Sequence, residues 1–368
     1  MNIRKLKFYH FRNYDKASFS FEENGIHILR GNNAQGKTNV VEAIYFLSLL
    51  RSFRTSKPNL MIKHDEEMMM IEAQIESKER TEDLKVVLSE HKKQLFRFGQ
   101  PVSTYSSFVG SLNAILFCPD DLMLFAGAPS QRRKFIDTEL IKLSKTYTAT
   151  LSHYQKLLKD RNLALKSTPV DRALIQVYTD QMIEDEKIII KQRHAFLKDL
   201  IEKSQSLYPF FDDGKEVMDA VYKTFVPIDE NLEQSLKEAY ATSLSKDLFY
   251  KTTQLGIHKD DFIFSLNGVP VIESASQGQK RSVLLSLKLG LAHIVYEKDG
   301  QYPILLLDDV FSELDEGRKR TLIQMLPEQM QIFITSAEPI QTDWFKRKVF
   351  FYTIENGTIK EEVHERNE

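Results

Sequence analysis

The sequence predicts an α/β fold: a mixed β-sheet with helices packed on it, carrying an inserted, mainly helical lobe with a short antiparallel helical hairpin. Three observations predict it. A strand, a glycine-rich loop and a helix follow one another near the N-terminus, an apolar strand ending in two carboxylates lies far downstream, and long helical periodicity fills much of the chain between them.

Residues 3–9 and 17–21 alternate apolar and polar side chains, as half-buried strands do, and residues 25–29 form a third strand that runs straight into the glycine loop. Residues 38–50 then place apolar side chains at helical spacing with no internal Gly or Pro. Residues 68–76 and 84–98 read as strands, which makes Met68, Met69 and Met70 sheet core and not a metal or cofactor box. Residues 130–166 and 171–207 carry helical periodicity broken at 166–170, where Pro169 and its predecessor disfavour helix, so the two arms form the hairpin. Strands return at 261–266 and 269–272 around the tight-turn pair Asn267-Gly268, followed by a helix at 278–297 and buried strands at 303–307 and 331–336. The acidic residues after Lys360 read as a solvated end. On this pattern residues 1–115 and 245–368 make one lobe and residues 116–244 the inserted helical lobe.

Among 368 residues, 42% hydrophobic and 11% aromatic content is ample for packed cores, while a formal charge of −2 leaves any nucleic-acid affinity to local basic patches. A single cysteine, Cys118, excludes an internal disulfide framework and a Cys-rich zinc site, and reads as a buried small hydrophobe. The nine histidines show no zinc-ligand spacing and no Ser-His-Asp or Cys-His arrangement is supported; His258 reads as a turn residue before a strand. No apolar run resembles a signal peptide or a membrane span, so the expectation is a soluble, cytoplasmic protein with no membrane partner.

The chemistry concentrates in four segments. Gly31, Asn32, Asn33, Ala34, Gln35, Gly36, Lys37 and Thr38 have phosphate-loop spacing, in which glycines let backbone N–H groups and a helix N-terminus converge on phosphate oxygens. The ligand expected there is ATP with Mg²⁺, Lys37 reaching the β and γ phosphates and the Thr38 hydroxyl ligating the metal. Asp308 and Asp309 end the strand 303–307, Asp308 assigned to Mg²⁺ and Asp309 to polarising the attacking water. Ser276, Gln277, Gly278 and Gln279 open a helix with a hydroxyl and free N–H groups, a second phosphate-binding surface that one triphosphate in one chain does not need. It is therefore read as contacting ATP held by another copy. Thr335, a hydroxyl at the end of strand 331–336, is placed to sense the γ-phosphate.

These segments together look like an ABC-type ATPase head of the SMC kind, and more narrowly resemble the RecF family over essentially the whole chain. The loop, ending in Asn39, has the Ala34-Gln35 pair typical of RecF where SMC heads usually carry another glycine. Residues 11–14 (Phe-Arg-Asn-Tyr), Pro119-Asp120, residues 127–137, Tyr154 with residues 158–162, and residues 307–315 also read as RecF segments. Ile257 and Lys259 depart from the family's usual Pro and Arg, and Phe125 from a commoner aliphatic residue. The resemblance implies an ATP-dependent homodimer that clamps DNA at single-strand gaps and junctions, slow ATP hydrolysis that releases it, Ser312 to Asp315 as a cross-dimer loop, and cooperation with RecR and RecO to load RecA. Two basic clusters, Arg4, Lys5, Lys7, Arg12 and Lys16, then Arg51, Arg54 and Lys57, are either solvated faces or phosphate contacts, and Arg132, Arg133 and Lys134 fit DNA, a partner or the dimer interface equally well. Two other readings share the motifs: a structural head that binds ATP only to dimerise, and the ATPase subunit of a membrane transporter, the latter disfavoured by the hairpin, by Thr335 where transporters place His, and by the weak match at 276–279.

Overall fold

Alternation along the first segment makes it a strand, β1 (Asn2–Phe11), which turns Ile3, Leu6, Phe8 and Phe11 inward; a bulge between Ile3 and Lys5 accounts for the change of phase between Ile3 and Leu6, and His10, with φ 46°, interrupts the alternation before Phe11. The computed structural model describes residues 1–21, 24–78, 80–212, 216–340 and 343–365. β2 (Tyr14–Ser20) pairs antiparallel with β1, and β3 (Ile26–Arg30) leads into the glycine loop and α1 (Lys37–Leu49). β4 (Met68–Ser77), β5 (Arg80–Ser89), β6 (Lys93–Arg97) and β7 (Gln100–Val102) complete an antiparallel sheet of order β2-β1-β4-β5-β6-β7. The single strand expected over 84–98 is therefore two. Ser89, Glu90, His91 and Lys92 have no apolar side chain to bury, and the chain reverses there, the Ser89 N–H closing onto the Lys92 carbonyl at 2.9 Å. Of the three methionines at the start of β4 only Met69 is fully buried, as a period of two requires, while Met68 is 39% exposed.

After a short helix, α2 (Tyr105–Phe108), the strand β8 (Ala114–Phe117) belongs to a second sheet. The chain divides into two compact units, one of residues 1–122, 206–215 and 277–368 and the other of residues 123–205 and 216–276. The expected lobe edges at 115/116 and 244/245 differ from these. The second edge moves because residues 261–266 pair with residues 218–223, and residues 269–270 with 265–266, inside the second unit and so cannot leave it.

The second unit contains α3 (Met123–Ala126), α4 (Pro129–Leu143), α5 (Lys145–Ala164), α6 (Arg172–Leu207), β9 (Met218–Lys223), α7 (Leu232–Tyr250), β10 (Asp261–Leu266), β11 (Val269–Pro270) and α8 (Val271–Ser274). The first helical arm expected over 130–166 breaks at Ser144, whose extended backbone and side chain cap α5 by accepting the Tyr147 N–H at 3.0 Å. α5 and α6 run antiparallel as the hairpin, shown by His153 on Asp185 and Arg161 on Thr179. Between β10 and β11, Asn267 and Gly268 take φ of 51° and 79°, the left-handed pair that a two-residue hairpin demands.

This unit buries charge. Arg161 and Asp247, 1% and 0% exposed, meet at 2.8 Å, and Arg193 binds Asp137 at 2.9 Å and Asp260 at 3.1 Å. Glu186 on α6 accepts from the Tyr240 hydroxyl at 2.9 Å and the Ile257 N–H at 3.2 Å. A proline at position 257 would have no N–H to give. Burial pushes the Glu186 carboxyl up to about 8, so it holds a proton at neutral pH. His258, whose Nδ1 meets the Tyr154 hydroxyl at 2.8 Å, is pushed down to about 4, mainly by burial, and stays neutral.

The first unit resumes with α9 (Gln277–Asp299), β12 (Ile304–Asp308), α10 (Glu316–Met325), β13 (Ile332–Ser336), β14 (Val349–Glu355) and β15 (Thr358–Glu365). Its second sheet has the order β15-β14-β3-β13-β12-β8, parallel from β14 to β8. Every residue of β12 and β13 is buried, as a parallel sheet covered on both faces requires. The end expected to be solvated after Lys360 is instead the antiparallel edge strand β15 up to Glu365; residues 366–368 lie outside the described residues.

Because the folded-state value of Glu186 is raised, its contribution to stability is fully present below about pH 4.5 and is lost as pH rises through about 8. Denaturant unfolding between pH 5 and 9 is expected to show stability falling across this window, and Glu186→Gln, which keeps the protonated shape, is expected to flatten that slope.

Candidate nucleotide-binding site

Strand β3 delivers the chain to the C-terminal edge of the parallel sheet, and Gly31 turns it there with φ 146°. A Cβ on Gly31 would lie 2.4 Å from the Ile354 carbonyl, and one on Gly36 (φ 118°) would lie 2.9 Å from both the Asn13 side-chain oxygen and the Tyr14 hydroxyl. Both positions therefore need glycine on two counts, conformation and space. Ala34, with φ 64°, is a non-glycine residue in the left-handed region inside the same loop.

The loop encloses a cleft of about 300 Å³ lined by Asn13, Asn33, Ala34, Gly36, Lys37, Thr38, Asn39, Arg54, Asp309 and Thr335. Lys37 Nζ donates to the carbonyls of Gly31 at 2.7 Å and Asn32 at 2.8 Å. Burial lowers the lysine's pKa while Asp309 and Asp308 oppose that shift, so the ammonium lies within the field of both acids.

The two residues assigned to the metal meet. Thr38 Oγ1 donates to Asp308 Oδ1 at 2.9 Å, although 270 positions separate them. Burial raises the Asp308 carboxyl, against the hydroxyls of Thr335 and Thr38, which lower it. The donor set suits Mg²⁺: hard oxygens at about 2.1 Å from the ion in octahedral geometry lie about 3 Å apart when adjacent, which is the separation found here. Asp309 is exposed, with φ 56°, a left-handed backbone conformation immediately after the buried strand. It lines the loop cleft and also a neighbouring cleft of about 320 Å³ with Phe311, Ser312, Lys319, Ser336 and Trp344.

Thr335, expected to sense the γ-phosphate, lines the cleft at the foot of both acids. Only 2% exposed, it donates to Asp308 Oδ1 at 2.9 Å and accepts the Asp309 N–H at 2.9 Å, so it positions both acids. Ser276 immediately precedes α9 and falls in the second unit, while Gln277, Gly278 and Gln279 form the first turn of α9 in the first unit. Among the described residues, none of Gln277, Gly278 and Gln279 lines the loop cleft. Arg318 braces that turn: a Cβ on Gly278 would lie 3.2 Å from its guanidinium, and its Nε donates to Ser282 at 3.0 Å.

Several functional residues had no assigned role in the sequence. Asn13 and Tyr14 hold the loop from the β1–β2 turn, Nδ2 of Asn13 donating to the Gln35 carbonyl at 2.9 Å and the Tyr14 hydroxyl to the Gly36 carbonyl at 3.1 Å. Arg54, grouped in the sequence with a basic cluster, donates to Asn39 Oδ1 at 2.6 Å and faces the cleft. Glu42, fully buried, receives a fork from Arg12 at 2.8 and 2.6 Å. The N-terminal basic cluster is largely neutralised: Arg4 pairs with Glu76 and Lys7 with Glu72 across β1 and β4. Arg132 is forked onto Asp261 and Arg133 donates to the Asp260 carbonyl, which leaves Lys134 as the exposed member of that trio. Cys118 is half-buried, and burial pushes its thiol up to about 12. His10, Asp15 and Glu66 lie close enough to hold a cation, but Lys63 pairs with Asp15 and His10 with Glu66 at 3.0 Å.

A glycine loop between a parallel strand and a helix, with a carboxylate strand presenting its acids to the loop's threonine and lysine, defines a P-loop ATPase head. Residues 2–360 match the family model described as the RecF/RecN/SMC N terminal domain. The chain is 36% identical over 370 residues to the DNA replication and repair protein RecF of Shouchella clausii, covering 98% of this chain and 99% of that one. It is 37% identical over 374 residues to the RecF of Ligilactobacillus salivarius, covering 98% of each. A solved structure described as the recombination mediator protein RecF-ATP in the RecFOR pathway superposes with a TM-score of 0.89 at 30% identity, covering 98% of this chain and 97% of that one. An SMC head bound to the C-winged helix domain of ScpA, 14% identical with a TM-score of 0.57, shares the fold. The chain belongs to the RecF family. Among the described residues no helix is long and apolar enough to cross a membrane.

Replacing Thr335 by valine keeps the volume and removes both hydrogen bonds. Thr335→Val is expected to lower the unfolding free energy by about 1–3 kcal/mol, read from denaturant melts without nucleotide.

Proposed function

We propose that this protein is a slow, DNA-stimulated ATPase of recombinational repair and replication restart. ATP and Mg²⁺ bound at Gly31 to Asn39 drive homodimerisation around DNA at single-strand gaps or junctions, RecR and RecO cooperate in loading RecA, and hydrolysis releases the DNA. The carrying observation is the direct contact of Thr38 with Asp308, with Asp309 open to the cleft beside Lys37. The family membership and its relatives' description as DNA replication and repair proteins support the wider setting, and the location that goes with this reading is the cytoplasm.

In this reading Lys37, held at the loop by the Gly31 and Asn32 carbonyls, meets the phosphates, whose charge offsets its burial. Thr38 and Asp308 would hold Mg²⁺, which would supply positive charge against the triphosphate. Asp309, fixed through its N–H by Thr335, orients the attacking water. Ser276, Gln277, Gly278 and Gln279 of a second copy close over the triphosphate, with Ser312 to Asp315 alongside. Binding N–H groups on both sides of the γ-phosphate is what makes the dimer depend on ATP and not ADP.

Two variants separate a switch from a passive head. Lys37→Met is expected to abolish the ATP-induced dimer in size-exclusion chromatography and the ATP-dependent retention of gapped DNA. Asp309→Asn is expected to keep the dimer on DNA for at least tenfold longer than the parent protein, measured by dissociation after nucleotide dilution. Unchanged lifetimes in the second variant would favour a head that binds ATP only to dimerise.

A further inference from the structure

Gln35 does not line the cleft, and its side chain meets another turn of the chain instead. Its Oε1 accepts the Asn356 N–H at 2.7 Å, and its carbonyl accepts the Gly357 N–H at 3.0 Å and Asn13 Nδ2 at 2.9 Å. Asn356 and Gly357 are the two central residues of the β14–β15 hairpin, with φ of 50° and 71°, the backbone of a type I′ turn. The turn fits closely: a Cβ on Gly357 would lie 2.6 Å from the Asn13 carbonyl. Two turns from distant parts of the chain, 12–13 and 356–357, therefore grip one residue of the phosphate loop.

The consequence follows from peptide geometry. In a planar trans peptide the carbonyl and the next N–H point in opposite directions. Anchoring the Gln35 carbonyl on Asn13 and Gly357 turns the Gly36 N–H to the other side. Anchoring the Gly36 carbonyl on Tyr14 does the same for the Lys37 N–H. We infer that the β14–β15 turn belongs to the nucleotide site, with Gln35 as the positioning residue through which it aims the loop's N–H groups at the triphosphate. Gln35 therefore acts through the backbone and not by touching ATP. This rests on the ATP reading above.

The test uses the full-length protein and the fluorescent probe mant-ATP with Mg²⁺. Gln35→Met keeps the length of the side chain and removes its acceptor; Gly357→Ala strains the same contact from the turn. Each is expected to weaken mant-ATP binding about three- to tenfold, the size of one or two hydrogen bonds, with the melting temperature of the protein measured without added nucleotide preserved for Gln35→Met. In the double variant the losses are expected to be less than multiplicative, since one contact is removed twice. Wild-type affinity in Gln35→Met, or multiplicative losses in the pair, would overturn the inference. Absence of mant-ATP binding by the parent protein would instead overturn the ATP reading.

Discussion

Asp308 receives two hydroxyls on one oxygen, and the site is assembled around that meeting. Thr38 stands at the start of α1, Asp308 at the end of β12 and Thr335 near the end of β13, so a single carboxylate ties together three elements that sequence keeps far apart. Register makes this possible. Asp308 pairs with Thr335, Thr335 with Leu29 and Ser336 with Arg30, so β12, β13 and β3 end together along one edge of the parallel sheet. Ligands of open α/β sheets bind outside that edge because strand ends there release loops and helix N-termini toward a common space. The fold thus supplies the place, and the hydroxyls supply the alignment.

What the sequence made legible is what chemistry constrains locally. Gly31, Gly36, Lys37 and Thr38 must sit at fixed spacing on one turn, and Asp308 and Asp309 must follow an apolar strand; each requirement leaves a mark within ten residues. The rest depends on pairing at a distance. Nothing near Arg4 or Lys7 announces that β4 brings Glu76 and Glu72 opposite them, so a run of cations read as open surface is a ladder of cross-strand pairs. Asn13 and Tyr14 were visible as a family-like segment, but their task becomes apparent only when the β1–β2 turn lies against the loop. The hairpin at Asn356-Gly357 is a different omission: it carries the same Asn-Gly signal that was read at Asn267-Gly268, and the charges that follow it masked a strand whose backbone pairs with β14.

The second unit shows what a family resemblance reports. Asp137, Tyr154, Arg161 and Asn162 lie in segments that resemble RecF, and they are tied into buried hydrogen bonds and ion pairs: Arg193 on Asp137, Tyr154 on His258, Arg161 on Asp247, Asn162 on Thr253. Removing one partner of such a pair strands a charge where solvent cannot reach it. These residue types are thus held in place by the folding of the lobe, without any need for an external ligand. The departure at Ile257 fits the same account, since its N–H serves Glu186 and its side chain is fully buried.

The charges in the cleft and the backbone around it play different parts. Lys37 donates to two carbonyls with its proton affinity reduced, and Asp308 accepts two hydroxyls with its own raised, so burial works against the charge on both groups. A divalent cation at Asp308 and phosphate at Lys37 would each reverse the local shift, and the two charges would be satisfied together. The charged side chains are the part of the site whose balance a ligand would change. The peptide planes are not, because Asn13, Tyr14 and the 356–357 turn already fix the Gln35 and Gly36 carbonyls from outside the cleft. Donors that need no reorientation lose little entropy when a ligand arrives, so the geometry of the loop is set in advance and only the ionic part of recognition waits for the ligand.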